Sequence, residues 1–368
     1  MPPEIAATPL NRPVLSAVQD THKPQTTSRP ARLDALTSLR FFFALMVVLG
    51  HFTGRLSAFG PFPGFVYQMA PLAVAWFFVL SGYIIAYNYP SLNTNEERGS
   101  FLALRVARLW PVHCAILTVG LLVRFYHINP PWLMFQYTMT QSWSLSPDIA
   151  GGYNGPAWSI SDEFFFYIAY IGLAAPRRWL GVLVGLAIVG IGIIIPLSQG
   201  CVNGGTAQCN YWIFMFPPTR IIEFIGGVLL FHSKVRVPQI VGLAAAVAVF
   251  LSWVPIPNWN VPVNLAAREL VTIAGAGFLI VSLTQDGWLS KILCLPFLVF
   301  LGEISYSVYM THEVVHQVLL PRDGWGYVST FMLTMSATLL LSTLLFYFVE
   351  APSRNWVKSF LKQRARRA

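Results

Sequence analysis

Residues 33–52 read LDALTSLRFFFALMVVLGHF, an apolar run interrupted by Arg40 and closed by His51. Eleven residues separate the two; at about 100° per residue they lie on one helix face, with about 16 Å between them along the axis. Crossing a bilayer takes about 20 apolar residues, so the run is long enough to span one. An ionisable side chain at membrane depth costs roughly 2.5–3.5 kcal/mol on insertion scales, which makes each such group a candidate for function.

Comparable runs recur along the chain. Spans are expected at 37–54, 69–88, 102–124, 156–174, 179–196, 213–231, 238–254, 267–284, 295–317 and 326–349. The fold class is therefore all-α, a polytopic transmembrane helix bundle of about ten spans. Composition agrees: the 368 residues are 55% hydrophobic and 11% charged, with a mean hydropathy of +0.58. Soluble domains carry about a quarter charged residues, so an ordinary cytosolic enzyme is excluded. Residues 1–36, rich in Pro, Thr and Arg, read as a disordered cytoplasmic tail without a cleavable signal peptide; 37–350 form the membrane domain, and 351–368 a basic cytoplasmic tail.

The net charge of +9 has a topological reading. On this span pattern 19 of the 24 Lys and Arg residues fall on one side, together with both termini, and Arg55, Arg124, Arg220, Arg268 and Arg322 on the other. Basic residues concentrate on the cytoplasmic side, so both termini are expected there. A nucleic-acid surface would need basic and aromatic residues interleaved on a soluble face, and the pattern has none. Cys201 and Cys209 share a loop expected outside, where they either pair in an oxidising compartment or stay as thiols. Internal repeats, a CxxC pair, a metal-ligand cluster, a phosphate-binding Gly loop and a GxSxG elbow are all missing from the sequence, so no metal is expected.

The remaining polar groups gather in a few spans. Arg40 alone could snorkel to the interface, whereas His51, in the outer half, is either a packed imidazole or a general base for a hydroxyl. NGPAWSISDEFFFY opens the fourth span with Trp158, Ser159, Asp162 and Glu163, and Tyr167 one turn further on. These suit an interfacial belt and helix-start acid, or a site that orients an imidazole and binds a sugar hydroxyl. Arg105 and Arg108, i and i+3 before the third span, satisfy the positive-inside rule and also form a two-guanidinium clamp for phosphate. In span nine Ser305, Tyr309, His312 and His316 share a face. Arg220 and Glu223 are expected to pair, and Glu350 to cap the last span.

Taken in order, LDALTSLRFFFALMVVLGHF, FFVLSGYIIAY, RVARLWPVH, WSISDEFFFY, PPTRIIEFIGG, LGEISYSVYMTHE and FVEAPSRNW resemble the integral-membrane acyltransferase 3 family from about residue 33 to 356. The resemblance implies an acyl-CoA-dependent O-acyltransferase of the stand-alone type, without a C-terminal SGNH domain. It implies His51 as catalytic residue with Arg40 and Glu163, Arg105 and Arg108 as the donor site, and Trp158, Ser159, Tyr309 and His312 as substrate contacts. Acetyl-CoA would be the acyl donor and a hydroxyl of a cell-surface or exported carbohydrate, such as exopolysaccharide or O-antigen, the acceptor. The localisation implied is the bacterial inner membrane, among lipids and without nucleic-acid partners. Buried charges alone also suit a transporter or flippase for a glycan or lipid, though no paired broken helices or repeated halves support it.

Overall fold

The computed structural model describes residues 31–54, 61–124, 129–174, 178–201, 206–252, 261–319 and 326–367. Among them the regular structure is entirely helical. The tail expected at 1–36 lies outside the described residues up to position 30, as do Arg55, Arg177 and Arg322. Helix α1 spans Ala31–Gly54, so it starts several residues before the expected span, with Asp34 in its first turn where a carboxylate meets the helix dipole.

The other long helices follow the expected apolar segments. They are α2 (Pro61–Asn88), α3 (Asn95–Arg124), α4 (Trp158–Leu173), α5 (Arg178–Ser198), α6 (Pro217–Ser233), α7 (Gln239–Ser252), α8 (Val261–Leu283), α9 (Pro296–Val318) and α10 (Tyr327–Leu345). Among the described residues, six stretches are long and apolar enough to cross a membrane: Leu33–Phe52, Met69–Asn88, Asn95–Val123, Gly181–Ser198, Ala207–Ser233 and Val328–Arg367. Helices α7 and α8 contribute shorter apolar segments. Helix α4 has only 16 residues, and α9, though 23 long, is broken up by Glu303, Ser305, Ser307, His312, Glu313 and His316. Of the helices that fall short by length or polarity, α4 and α9 supply much of the polar interior.

Helix α1 sits between α2 and α9; α2 packs on α6 and α8, α7 pairs with α8, and α9 with α10. Small residues set the closest approaches, as expected where lipid and core are equally apolar and helix association relies on close packing and hydrogen bonds. A Cβ on Gly82 would strike the carbonyl of Phe224, and one on Gly227 that of Val79, so α2 and α6 meet backbone to backbone. Gly302 does the same for α9 against the Thr37 carbonyl of α1. Aromatic rings fill the space beside these contacts, with Phe166 at 5.0 Å from Phe78 and 5.4 Å from Phe224.

Three polar features depart from or complete the sequence reading. Arg220 and Glu223 form a buried pair at 2.7 Å, and Glu269 of α8 joins at 3.6 Å. Cys201 and Cys209 are disulfide-bonded, with Cα atoms 5.0 Å apart, the second in the short helix Ala207–Phe214. The last span does not end at Glu350: α10 passes through a π turn, Phe346–Glu350, into α11 (Ala351–Arg367). The turn aims Glu350 inward, where it accepts a hydrogen bond from Ser307 at 3.1 Å, so it is an interior charge and not a cap.

The α2–α6 contact predicts that Gly227→Leu destabilises the bundle by about 1–3 kcal/mol or more, because a packed backbone has no room to yield. Gly190→Leu, whose Cβ position meets no atom within 4 Å, should leave thermal unfolding in detergent unchanged. Equal melting temperatures for the two variants would contradict that packing.

Candidate functional site

The Arg40 face of α1 opens into an internal cleft of about 60 Å³. Its polar lining comes from five helices: Arg40 of α1, Ser81 of α2, Arg105 and Arg108 of α3, Glu163 and Tyr167 of α4, and Tyr306 and Tyr309 of α9. The i,i+3 spacing brings both α3 guanidinium groups to the cleft, and one α4 turn does the same for Glu163 and Tyr167. Glu163 accepts hydrogen bonds from Ser81, at 2.8 Å, and from the Tyr167 hydroxyl. Arg40 also interacts electrostatically with Arg108, Glu163 and Glu350. Arg105 lies over the Tyr89 ring, 5.5 Å from its centroid, in a cation–π contact.

Three guanidinium groups face two carboxylates here, which leaves an excess of one positive charge when all are ionised. Attraction and desolvation both grow in a low-dielectric interior, so surplus charge there is costly until an anion offsets it. The Nε atoms of Arg105 and Arg108 are buried and have no hydrogen-bond partner among the described residues. Unused donors of this kind, in a fork suited to phosphate oxygens, fit an anionic ligand.

The other end of the same α1 face leads elsewhere. His51 lines a smaller cavity with Phe52, His312, His316, Phe331, Thr334 and others. Its Nδ1 lies 2.8 Å from Nε2 of His312, and the ring planes are 10° apart with centroids 5.1 Å from one another. His312 Nδ1 in turn lies 2.6 Å from the Tyr309 carbonyl oxygen. The Glu313 carboxylate is close, with donor atoms of His51, His312 and Glu313 all within 4.8 Å of one another. Two imidazoles and a carboxylate are donor types that a divalent cation accepts; the sequence shows no such cluster because His51 is 261 residues from His312.

The expected site residues therefore divide between two chambers. Arg40, Arg105, Arg108, Glu163, Ser159 and Tyr309 line the cleft, while His51 and His312 line the second cavity. Glu163, read as a group to orient an imidazole, has Ser81 and Tyr167 as its hydrogen-bond partners, and the ring partner of His51 is His312. Ser159 is buried and exchanges a hydrogen bond with the Tyr309 hydroxyl at 2.8 Å. Trp158 stands edge-on to Phe78 at 6.4 Å and does not line the cleft. Sequence reading missed Ser81, Tyr306 and the inward turn of Glu350. Ser81 and Tyr306 stand in quoted segments, but nothing local marks a serine or tyrosine as facing an interior.

Residues 33–347 match the family described as an acyltransferase domain, acyltransferase 3. Among curated proteins, the chain is 27% identical over 316 residues to "Acyltransferase MdmB" of Streptomyces mycarofaciens, covering 78% of this chain and 80% of that protein. It is 24% identical over 351 residues to a putative O-acetyltransferase of Staphylococcus aureus (strain COL), which covers 81% of this chain but only 56% of the longer relative. Nodulation protein 10 of Rhizobium leguminosarum bv. viciae is 24% identical over 371 residues, 89% of this chain and 94% of that one. No solved structure matches. The match covers most of the chain, and the chain belongs to the acyltransferase 3 family.

Proposed function

We propose that this protein is a membrane O-acyltransferase that takes an acyl group, acetyl by default, from cytosolic acyl-CoA and transfers it to a hydroxyl of a cell-surface or exported carbohydrate. The observation that carries the reading is the cleft with three guanidinium groups, placed at one end of a helix face whose other end holds an imidazole pair. The proposed topology has about ten spans in the bacterial inner membrane with both termini in the cytoplasm, following the distribution of 19 of 24 bases. The Arg40 end of α1 is then cytoplasmic, and the His51 end outward.

This arrangement suits a donor and acceptor from opposite compartments. The CoA phosphates are held by Arg105 and Arg108, with Arg40 as a third cation, and the thin pantetheine arm runs inward along α1. His51 takes the proton of the acceptor hydroxyl as its oxygen attacks the thioester carbonyl. The C–S bond breaks, the CoA thiolate leaves, and the proton ends on its sulfur. Glu163 and Glu350 hold the guanidinium cluster in place and keep the empty cleft from carrying the full charge of three cations. The Cys201–Cys209 bond agrees with an outward position for that loop, because disulfides persist in oxidising compartments.

Three outcomes are expected. Replacing Arg105 and Arg108 together with Ala should raise KM for acetyl-CoA by about 10- to 100-fold, as charge-assisted contacts are worth about 1.5–3 kcal/mol; a fall in kcat alone would argue against a phosphate clamp. His51→Ala, inserted at the wild-type level, should abolish O-acetyl signals in NMR spectra of the surface polysaccharide. Unchanged acetylation would remove His51 from the chemistry, and glycan movement without CoA release would favour a transporter. A C-terminal green fluorescent protein fusion should fluoresce and the matching alkaline phosphatase fusion should be inactive; the reverse result would invert the topology.

A further inference from the structure

The side chains gathered around His51 are of metal-ligand type. His51 stands on α1, and His312, Glu313 and His316 stand on α9. One donor atom each of His51, His312 and Glu313 lies within 4.8 Å of the other two. Ligand atoms held about 2.0–2.2 Å from one cation stand roughly 3–4 Å from one another. The carboxylate therefore has only a short distance to close, and the two imidazoles, 2.8 Å apart at Nδ1 and Nε2, need only part slightly.

The space beside them is sized for one ion and for little else. The cavity that His51, His312 and His316 line measures about 10 Å³, near the roughly 10–15 Å³ that one water-sized particle needs. Thr334 of α10 also lines it; the residue is buried, and its hydroxyl oxygen has no hydrogen-bond partner among the described residues. A buried hydroxyl in that condition is costly, so it points to something in the cavity that meets it. Phe52 and Phe331, with ring centroids 4.9 Å apart, contribute an apolar wall, and a low-dielectric surrounding strengthens the attraction between a carboxylate and a cation. Imidazole beside carboxylate suits zinc and neighbouring transition metals, whereas calcium and magnesium prefer shells of oxygen.

We propose that His51, His312 and Glu313 form a binding site for a divalent transition-metal cation, and that the filled site withholds His51 from acyl transfer. A neutral imidazole has one bare nitrogen, and its other nitrogen carries hydrogen. Once a cation takes the bare nitrogen, no atom of the His51 ring can accept the proton of a hydroxyl, whichever nitrogen is the ligand. The withholding rests on His51 being the base of the O-acyl transfer described above; the cation site itself does not.

The test uses the full-length protein in detergent, purified without a polyhistidine tag, stripped with EDTA and titrated with zinc chloride in a calorimeter. Wild-type protein should bind one equivalent saturably. His51→Ala and Glu313→Gln should each weaken that binding by about tenfold or more, since even the partners of metal ligands are worth about 10- to 100-fold in affinity. The amide oxygen introduced by Glu313→Gln can still accept the hydrogen bond from Gln317, which favours an intact α9. Absence of saturable binding in the wild type overturns the proposal without any variant. Zinc held equally by the wild type and both variants is an adventitious ion only, and overturns it too. In acetyl transfer from acetyl-CoA, saturating zinc should slow the wild type by about tenfold or more, and EDTA should restore the rate. The half-inhibiting concentration, taken relative to each protein's own metal-free rate, should rise about tenfold or more in Glu313→Gln; zinc that accelerates transfer overturns the withholding. Binding that is lost in both variants while wild-type transfer proceeds undiminished would instead overturn His51 as the base, so the two failures are distinguishable.

Discussion

The high cost of placing charge inside a membrane organises this molecule. A guanidinium or carboxylate facing lipid would cost several kcal/mol, so the bundle gathers such groups into its interior and pairs them. Arg220 meets Glu223 and Glu269 in one cluster. Arg40, Arg105 and Arg108 share another with Glu163 and Glu350. In the first, Arg220 and Glu223 are buried and the surplus carboxylate, Glu269, is the one part-exposed, at 22%. The second lines a cleft and lacks one negative charge. The same rule that stabilises the first cluster therefore leaves the second in need of an anion.

Helix lengths follow from the same constraint. Residues facing lipid or packed neighbours can be apolar almost throughout, as in α5, and such helices stand out in the sequence. Helices α4 and α9 face the polar interior, so they carry hydroxyls, carboxylates and imidazoles at the cost of apolarity. Several of their polar groups are satisfied internally: Ser159 by Tyr309, Ser307 by Glu350, and the Tyr306 hydroxyl by the Leu109 carbonyl at 2.6 Å. An unpaired hydroxyl at that depth would forfeit its hydration without return. These bonds tie α9 to α3, to the first turn of α4 and to the π turn after α10, which fixes the helix that carries both Tyr309 and His312.

Much of this was legible in the chain. The 3.6-residue period put Arg40 and His51 on one face, brought Arg105 beside Arg108, and paired Arg220 with Glu223, because these are relations within a single helix. Relations between helices were not legible. Nothing local to LGEISYSVYMTHE says that His312 meets His51, or that Glu163 turns to Ser81; those contacts depend on which helix faces pack together. Glu350 was misjudged for a different reason. A Pro-containing FVEAPSR reads as a helix end, yet the π turn shifts the register and the helix continues through Pro352 into α11.

Tyr309 links the two chambers. Its side chain lines the cleft and bonds to Ser159, while its backbone carbonyl anchors His312 and through it His51. One residue thus borders the space proposed for the donor and terminates the hydrogen-bond chain that reaches His51. The distance between chambers is set by the helix itself: eleven residues on α1 span about 16 Å, a separation that no side-chain rotamer can close. A reaction between a cation-held donor and His51 therefore needs a donor with a long, narrow arm, since the anchoring charge and the reacting carbonyl must lie in different chambers. Acyl-CoA, with its phosphates at one end and its thioester at the other, meets that geometric demand, whereas a compact acyl phosphate, whose charge adjoins its carbonyl, does not.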